Sequence, residues 1–186
     1  MSVSLRMVVA EAPLRTTKYG LVPEGEGWFV VNARDIRWRD TGPLGFFCDF
    51  EGKRRFPGLG VNLNVLRPGD RMAMYHRENA QEAFLVLAGT CLLIVEGEER
   101  QLRTWDFFHC PPQTEHVILG AGEGPAIVLA AGARGRRRKG LVYPVSPAAL
   151  KHRACVEQET TNPGEAYAGL PKWIRCSYRE GWLPDR

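Results

Sequence analysis

The chain has no long hydrophobic run. Its longest small-apolar stretch, Ala126 to Ala131 running into Gly132-Ala133, falls far short of the ~20 residues a membrane helix needs. Near the N-terminus only Met7-Val8-Val9-Ala10 is apolar before Glu11, too short for the core of a secretory signal. A cytoplasmic protein without a membrane partner is therefore expected. Five cysteines (Cys48, Cys91, Cys110, Cys155, Cys176) are odd in number and contain no C-x-x-C pair. That argues against a disulfide frame or a zinc ribbon, so they read as small buried hydrophobes. Heptads, internal repeats, long amphipathic helices and a helix-turn-helix pattern are all missing, and a self-contained transcription regulator is not expected. The net charge is only +4. Its one concentration, Arg134, Arg136, Arg137, Arg138 and Lys139, lacks interleaved aromatics and reads as a solvated loop, so nucleic acid is not an expected partner.

What is present is turn chemistry. Twenty glycines and thirteen prolines are scattered rather than clustered, which suits many short strands joined by turns. Residues 1–55 read as an N-terminal arm with short strands at Trp28–Val31 and Phe46–Phe50. Residues 56–133 hold a dense series of short strands with turn signals every eight to twelve residues, the core of a sandwich or a barrel. Residues 134–186 carry the basic loop, a last strand at Leu141–Val145, a helix over Pro147–Glu157 and an aromatic tail, all within one domain. In the core, Val61-Asn62-Leu63-Asn64-Val65 alternates with the period of a half-buried strand. Glu82–Leu87 and Cys91–Val95 flank Ala88-Gly89-Thr90 and read as a hairpin, and Gly97 marks a second turn. Phe107–Cys110 stops at Pro111-Pro112, and His116–Leu119 and Ala126–Ala131 complete an all-β set.

Only four histidines occur, and His76, His109 and His116 fall in this strand zone. Barrel closure brings sequence-distant strands together, so inward His and Glu side chains can meet at one point. Two imidazoles and one carboxylate suit a first-row divalent ion with open positions.

These residues carry a resemblance. Pro68-Gly69, Tyr75-His76-Arg77 and Gln81-Glu82 through Gly89 are similar to the first motif of the cupin superfamily: Gly, five residues, His-x-His, three or four residues, Glu, six residues, Gly. Trp105 to His116 resembles the second motif: Gly, five residues, Pro-x-Gly, two residues, His, three residues, Asn. The stretches Phe84–Glu99 and Asp106–His116 also resemble small bacterial single-domain cupins. The resemblance covers about residues 58–132. It implies a double-stranded β-helix (jelly-roll) barrel with an N-terminal strand arm and a short helical or irregular C-terminal tail. It also implies that Glu82 and His116 stand at ligand positions.

The departures are specific. Trp105 and Gln113 replace the second motif's glycines, and Gly120 its Asn. In the family spacing the first-motif histidines fall on Tyr75 and Arg77, with His76 turned away between them. A one-residue bulge near Glu78–Ala80 would return His76 to the pocket and put Met74 at the first His position. The expected metal ligands are thus His76, Glu82 and His116, with His109, Tyr75, Arg77, Gln81 and Met74 as further pocket candidates. Alternatives stay open: Glu82 paired with Arg77 or Arg103, His116 as a turn cap, or inward Tyr75 and Arg77 forming a metal-free anion pocket. The implied cofactor is one divalent ion, with Fe, Zn, Ni and Mn not distinguished. The implied partners are a small-molecule ligand and a second copy in a homodimer. Two functions fit: an oxygenase, isomerase or decarboxylase-type enzyme, or a non-catalytic small-molecule sensor, with or without metal.

Overall fold

The computed structural model describes residues 8–135 and 140–184. Two antiparallel sheets build an all-β jelly-roll barrel. One is seven-stranded, ordered β12 (Ile174–Cys176), β3 (Trp38–Asp40), β4 (Phe46–Cys48), β5 (Leu59–Leu66), β11 (Ala126–Ala133), β6 (Glu82–Ala88) and β9 (Phe107–Cys110). The other pairs β10 (His116–Gly120), β7 (Thr90–Val95) and β8 (Glu98–Arg103). A small hairpin, β1 (Leu14–Thr17) with β2 (Gly20–Pro23), belongs to the arm. Among the described residues no helix is long and apolar enough to cross a membrane.

Strand alternation sorts the apolar residues into three layers. Leu66, Phe84, Val86, Cys91, Leu93, Ile118, Val128 and Ala130 fill the barrel. The outer face of β5 and β11 (Leu63, Val65, Ile127) is covered by Ile36, Trp38, Phe46 and the tail residues Tyr178 and Trp182. The outer face of β7 and β10 (Ile94, Val117, Leu119) is covered by Tyr143, Ala149, Cys155 and Ala166. All five cysteines are unpaired and buried. Arg134 pairs through two guanidinium nitrogens with the buried Glu51, while residues 136–139 of the basic run lie outside the described residues.

Four sequence expectations need correction. Glu82–Ala88 and Thr90–Val95 are not a hairpin: β6 pairs with β11 and β9, and β7 with β10 and β8. Gly89 (φ 77°) turns the chain from one sheet to the other, and a Cβ there would stand 2.7 Å from the Pro125 carbonyl oxygen. The hairpin is β7–β8, turned by Glu96 and Gly97, both at positive φ (49° and 78°), which matches the right-handed twist of paired strands. Trp28–Val31 is not a strand; Trp28 makes a single bridge with Glu11. Leu141–Val145 contributes only isolated bridges, Val142 to Arg77 and Tyr143 to Thr160. The helix over Pro147–Glu157 shortens to α1, Pro147–Lys151, and is followed by α2, Pro163–Ala166. Ser146 caps α1 by accepting from Ala149 N, and Arg153 (φ 56°) ends the helical path. Burial of Ala154, Cys155 and Val156 in the outer layer then takes the chain away from the helix axis.

Candidate metal centre

Three barrel strands, β5, β6 and β10, change chemistry along their length, and their polar ends share one mouth. On β5 the inward residues run Asn62, Asn64, Leu66, and on β6 Glu82, Phe84, Val86. β10 begins with inward His116 and continues to Ile118. Segment 71–77 lies beside β10 and supplies His76, which bridges to His116 by two backbone hydrogen bonds of 3.1 and 2.8 Å.

His76, Glu82 and His116 each offer one ligand atom, and these atoms lie within 4.8 Å of one another. The two imidazole centroids are 4.8 Å apart. His116 Nε2 stands 3.4 Å from Glu82 Oε2, yet that oxygen is buried without a hydrogen-bond partner. Each imidazole is oriented from behind. His76 Nδ1 donates to the Met74 carbonyl (2.8 Å), and His116 Nδ1 donates to the Thr114 carbonyl (3.1 Å). A carbonyl only accepts, so both protons sit on Nδ1 and both Nε2 lone pairs are free for a ligand.

Electrostatics matches this donor geometry. Burial lowers the pKa of His76, and burial together with the charge on His76 lowers that of His116 to about 4. Both rings are therefore neutral near pH 7, as metal ligation requires. Burial, then the neighbouring Glu78 carboxylate, raises Glu82 to about 7. A carboxylate enclosed this way, with an oxygen that nothing satisfies, is stabilised by a cation. The donor set thus fits a divalent first-row ion.

The three residues open on a cavity of about 290 Å³ that is also lined by Asn64, Phe84, Tyr143 and Tyr167. A second cavity of about 330 Å³ shares Asn62, Glu78 and Glu82 with it. Phe84 and Phe108, stacked at 5.7 Å, form a floor beneath His116. A larger surface depression of about 680 Å³ along Cys155–Thr160 contains neither imidazole of the centre.

His76 faces the cavity through an irregularity upstream of it, not at Glu78–Ala80. Arg71 pairs with Leu119 and His76 with His116, so five residue steps on one strand oppose three on the other. Two surplus residues are absorbed in the bends at 72–75. In this register none of the five further pocket candidates lines the cavity. Tyr75 and Arg77 flank His76 and so alternate away from it. The Tyr75 hydroxyl accepts from Gly97 N (3.0 Å), and Arg77 Nη1 lies 3.9 Å from Glu115. Met74 is buried in the outer layer and contributes through its backbone, its carbonyl accepting from His76 and its N–H donating to the Tyr167 hydroxyl at 3.3 Å. Gln81 is exposed and engages Ala133 through its backbone, and His109 is exposed on the edge strand β9. The metal-free anion pocket and the Glu82–Arg77 and Glu82–Arg103 pairs fall with them: among the described residues Glu82 has no arginine partner.

Sequence reasoning missed Glu78, Asn62, Asn64, Tyr143 and Tyr167. Glu78 had a local signal, two residues from His76 on an extended segment. Asn62 and Asn64 were read as the polar side of a half-buried strand, but that side faces the barrel interior. The two tyrosines arrive from the C-terminal segment, which no local pattern links to the barrel.

The family description "Cupin domain" matches residues 62–132. A curated relative, the 5-nitrosalicylic acid 1,2-dioxygenase of a Bradyrhizobium species, is 30% identical over 67 residues. That match covers 36% of this chain and 32% of the relative, so the chain spans about a third of that enzyme's length. Among solved structures, KdgF of a Halomonas species superposes with a TM-score of 0.46 at 22% identity, covering 53% of this chain and 88% of that one. A sugar phosphate isomerase of the cupin superfamily from Silicibacter pomeroyi gives 0.41 at 23% identity, covering 46% and 60%. An RmlC-like protein with a double-stranded β-helix fold from Methanocaldococcus jannaschii gives 0.40 at 16% identity, covering 44% and 74%.

Proposed function

The chain belongs to the cupin superfamily, and on that premise we propose that it is a metal-dependent enzyme acting on a small organic molecule, of the dioxygenase class. The observation that carries the reading is the convergence of His76, Glu82 and His116 with a buried, unsatisfied Glu82 Oε2. His76 Nε2, His116 Nε2 and a Glu82 oxygen would hold the ion. When bound, a first-row ion with open positions supplies Lewis acidity and, if iron, one-electron chemistry with dioxygen.

The remaining work falls to the protein's own side chains. The Met74 and Thr114 carbonyls fix both rings, so the donors need no reorganisation. The Phe84–Phe108 floor keeps water from beneath the centre. Tyr143 and Tyr167 have pKa values raised chiefly by burial, so both hydroxyls stay protonated; the Tyr167 hydroxyl accepts from Met74 N, which leaves its proton to donate to a polar group of the substrate. Phe84 and Tyr143 suit a ring, and the cavity volume is at the small end for ligand sites. The similarity to a 5-nitrosalicylic acid 1,2-dioxygenase favours this class over isomerase or decarboxylase chemistry. Self-association as a homodimer is part of the same reading, with exposed Trp105 and Phe107 beside the edge strand β9 available for it.

The test loads the metal-free protein with Fe²⁺, Mn²⁺, Zn²⁺ or Ni²⁺ and follows oxygen uptake with 5-nitrosalicylate, salicylate and related hydroxybenzoates. Stoichiometric metal and substrate-dependent uptake that vanish in His116→Ala are expected. Substrate-class ligands that bind without oxygen uptake under any metal would replace the enzyme reading with the sensor one. Size-exclusion chromatography with light scattering reads the oligomeric state.

A further inference from the structure

We propose that Glu78 is a second carboxylate donor to the divalent ion, completing a set of two imidazoles and two carboxylates with His76, Glu82 and His116. This rests on the metal-centre reading and specifies its donor set.

Glu78 stands two residues after His76, and the segment remains extended between them: His76 bridges to His116, and Arg77 bridges to Val142. Residues at i and i+2 share a face, so Glu78 follows His76 toward the mouth while Arg77 points away to Glu115. It lines both cavities, with Glu82 at their junction. Its peptide is anchored, since the Glu78 carbonyl accepts from Gln113 N at 2.7 Å. Its carboxylate, by contrast, has no hydrogen-bond or ion-pair partner among the described residues. Its charge also acts on Glu82, His76 and Tyr143, raising the pKa of each after the effect of burial on Glu82 and Tyr143 and against it on His76.

The Glu78 oxygens are not among the three ligand atoms that already converge within 4.8 Å. A glutamate on a fixed backbone reaches farther by side-chain rotation alone, without displacing the strand. Two carboxylates facing one mouth repel each other, and a divalent ion between them removes that repulsion. With both bound the centre is formally neutral; with Glu82 alone it would carry one positive charge. Two oxygen donors also shift preference toward harder ions such as Mn²⁺ and Fe²⁺.

The test measures Mn²⁺ affinity by calorimetry, and the visible spectrum of the Co²⁺-loaded protein, for wild type, Glu78→Gln and Glu78→Asp. Urea unfolding of each metal-free protein checks that it folds. Tenfold or greater loss of Mn²⁺ affinity in both variants, with an altered Co²⁺ spectrum and an unfolding midpoint close to wild type, is expected. Glu78→Asp keeps the charge but shortens the reach. If it retains wild-type affinity and spectrum, Glu78 acts only through its field and the proposal fails. It fails equally if Glu78→Gln binds Mn²⁺ within twofold of wild type with an unchanged Co²⁺ spectrum, and the metal centre then stands on three ligands. If wild type binds neither ion, the metal-centre reading itself falls, and Glu78 with it.

Discussion

The two ends of the barrel interior are built by the same strands, yet one end is closed and apolar and the other open and polar. At the closed end Leu66, Val86, Cys91, Leu93 and Val128 meet without a polar group between them. At the open end the same strands and their neighbouring segment place Asn62, Glu82, His116 and His76. Phe84 and Phe108 mark the boundary. The closed end supplies hydrophobic stabilisation and holds strand register. The open end costs stability, because it encloses a carboxylate oxygen with no partner. On β5, β6 and β10 stability and chemistry are thus divided along the strand, while β7 and β11 contribute apolar side chains to the interior.

The largest effect on this division is expected at the boundary. Phe84→Ala removes the buried floor and should destabilise the protein by about 3–5 kcal/mol in urea unfolding, because a cavity is left as well as lost burial. A loss under 1 kcal/mol would mean that the floor is not part of the core. His116→Ala acts on the open end alone. It should weaken divalent-ion affinity by 100-fold or more, about 2.7 kcal/mol, in a calorimetric titration while the fold persists.

Glu82→Gln separates the two roles most directly. In the metal-free protein Glu82 titrates near 7 against 4.5 when unfolded. Below about pH 4.5 it is protonated in both states and costs nothing. As pH rises from 4.5 to 7 the unfolded chain ionises first, so stability falls, and above 7 the deficit is constant. His116, lowered to about 4, works in the opposite sense as pH falls below 6.5, but it is common to wild type and variant. Metal-free Glu82→Gln should therefore exceed wild type by about 1–3 kcal/mol at pH 8 and by nearly nothing at pH 4, while losing metal binding. Equal stability at both pH values would show that Glu82 is not under strain.

The smallest effect compares two turns at opposite ends. Trp105 (φ 75°), 71% exposed, follows the closed end, and Gln113 (φ 71°) stands at the mouth. Both are left-handed, a region that disfavours side chains with a Cβ. Trp105→Gly should stabilise by about 0.5–1 kcal/mol in thermal unfolding. Gln113→Gly should gain less, because it gives up the Gln113 side-chain hydrogen bond to Asn79 beside the Glu78 segment. Equal gains would show that this contact contributes nothing.

The strand series from Val61 to Ala131 was legible because alternation, turn residues and the two motifs agreed on it. Glu82 and His116 were legible as candidate ligands for the same reason, since their spacings within the motifs are local. His76 was not, because its direction depends on two surplus residues in a non-repeating bend. The β6–β7 hairpin was misread because a glycine turn looks alike whether it joins neighbours in one sheet or crosses between two.

By itself, the sequence determined an all-β set of short strands, through period-2 alternation and turn chemistry, which act over a few residues. The barrel, and a histidine and a glutamate at ligand positions where strands begin, came from the resemblance of two local motifs to the cupins. Only the tertiary structure decided that His76 joins them and that Tyr75, Arg77, Met74, Gln81 and His109 do not. It alone placed Glu78 and two distant tyrosines around the same mouth. The reason is physical: which face a side chain takes depends on the register against a partner strand, and one irregular bend resets it for every residue that follows.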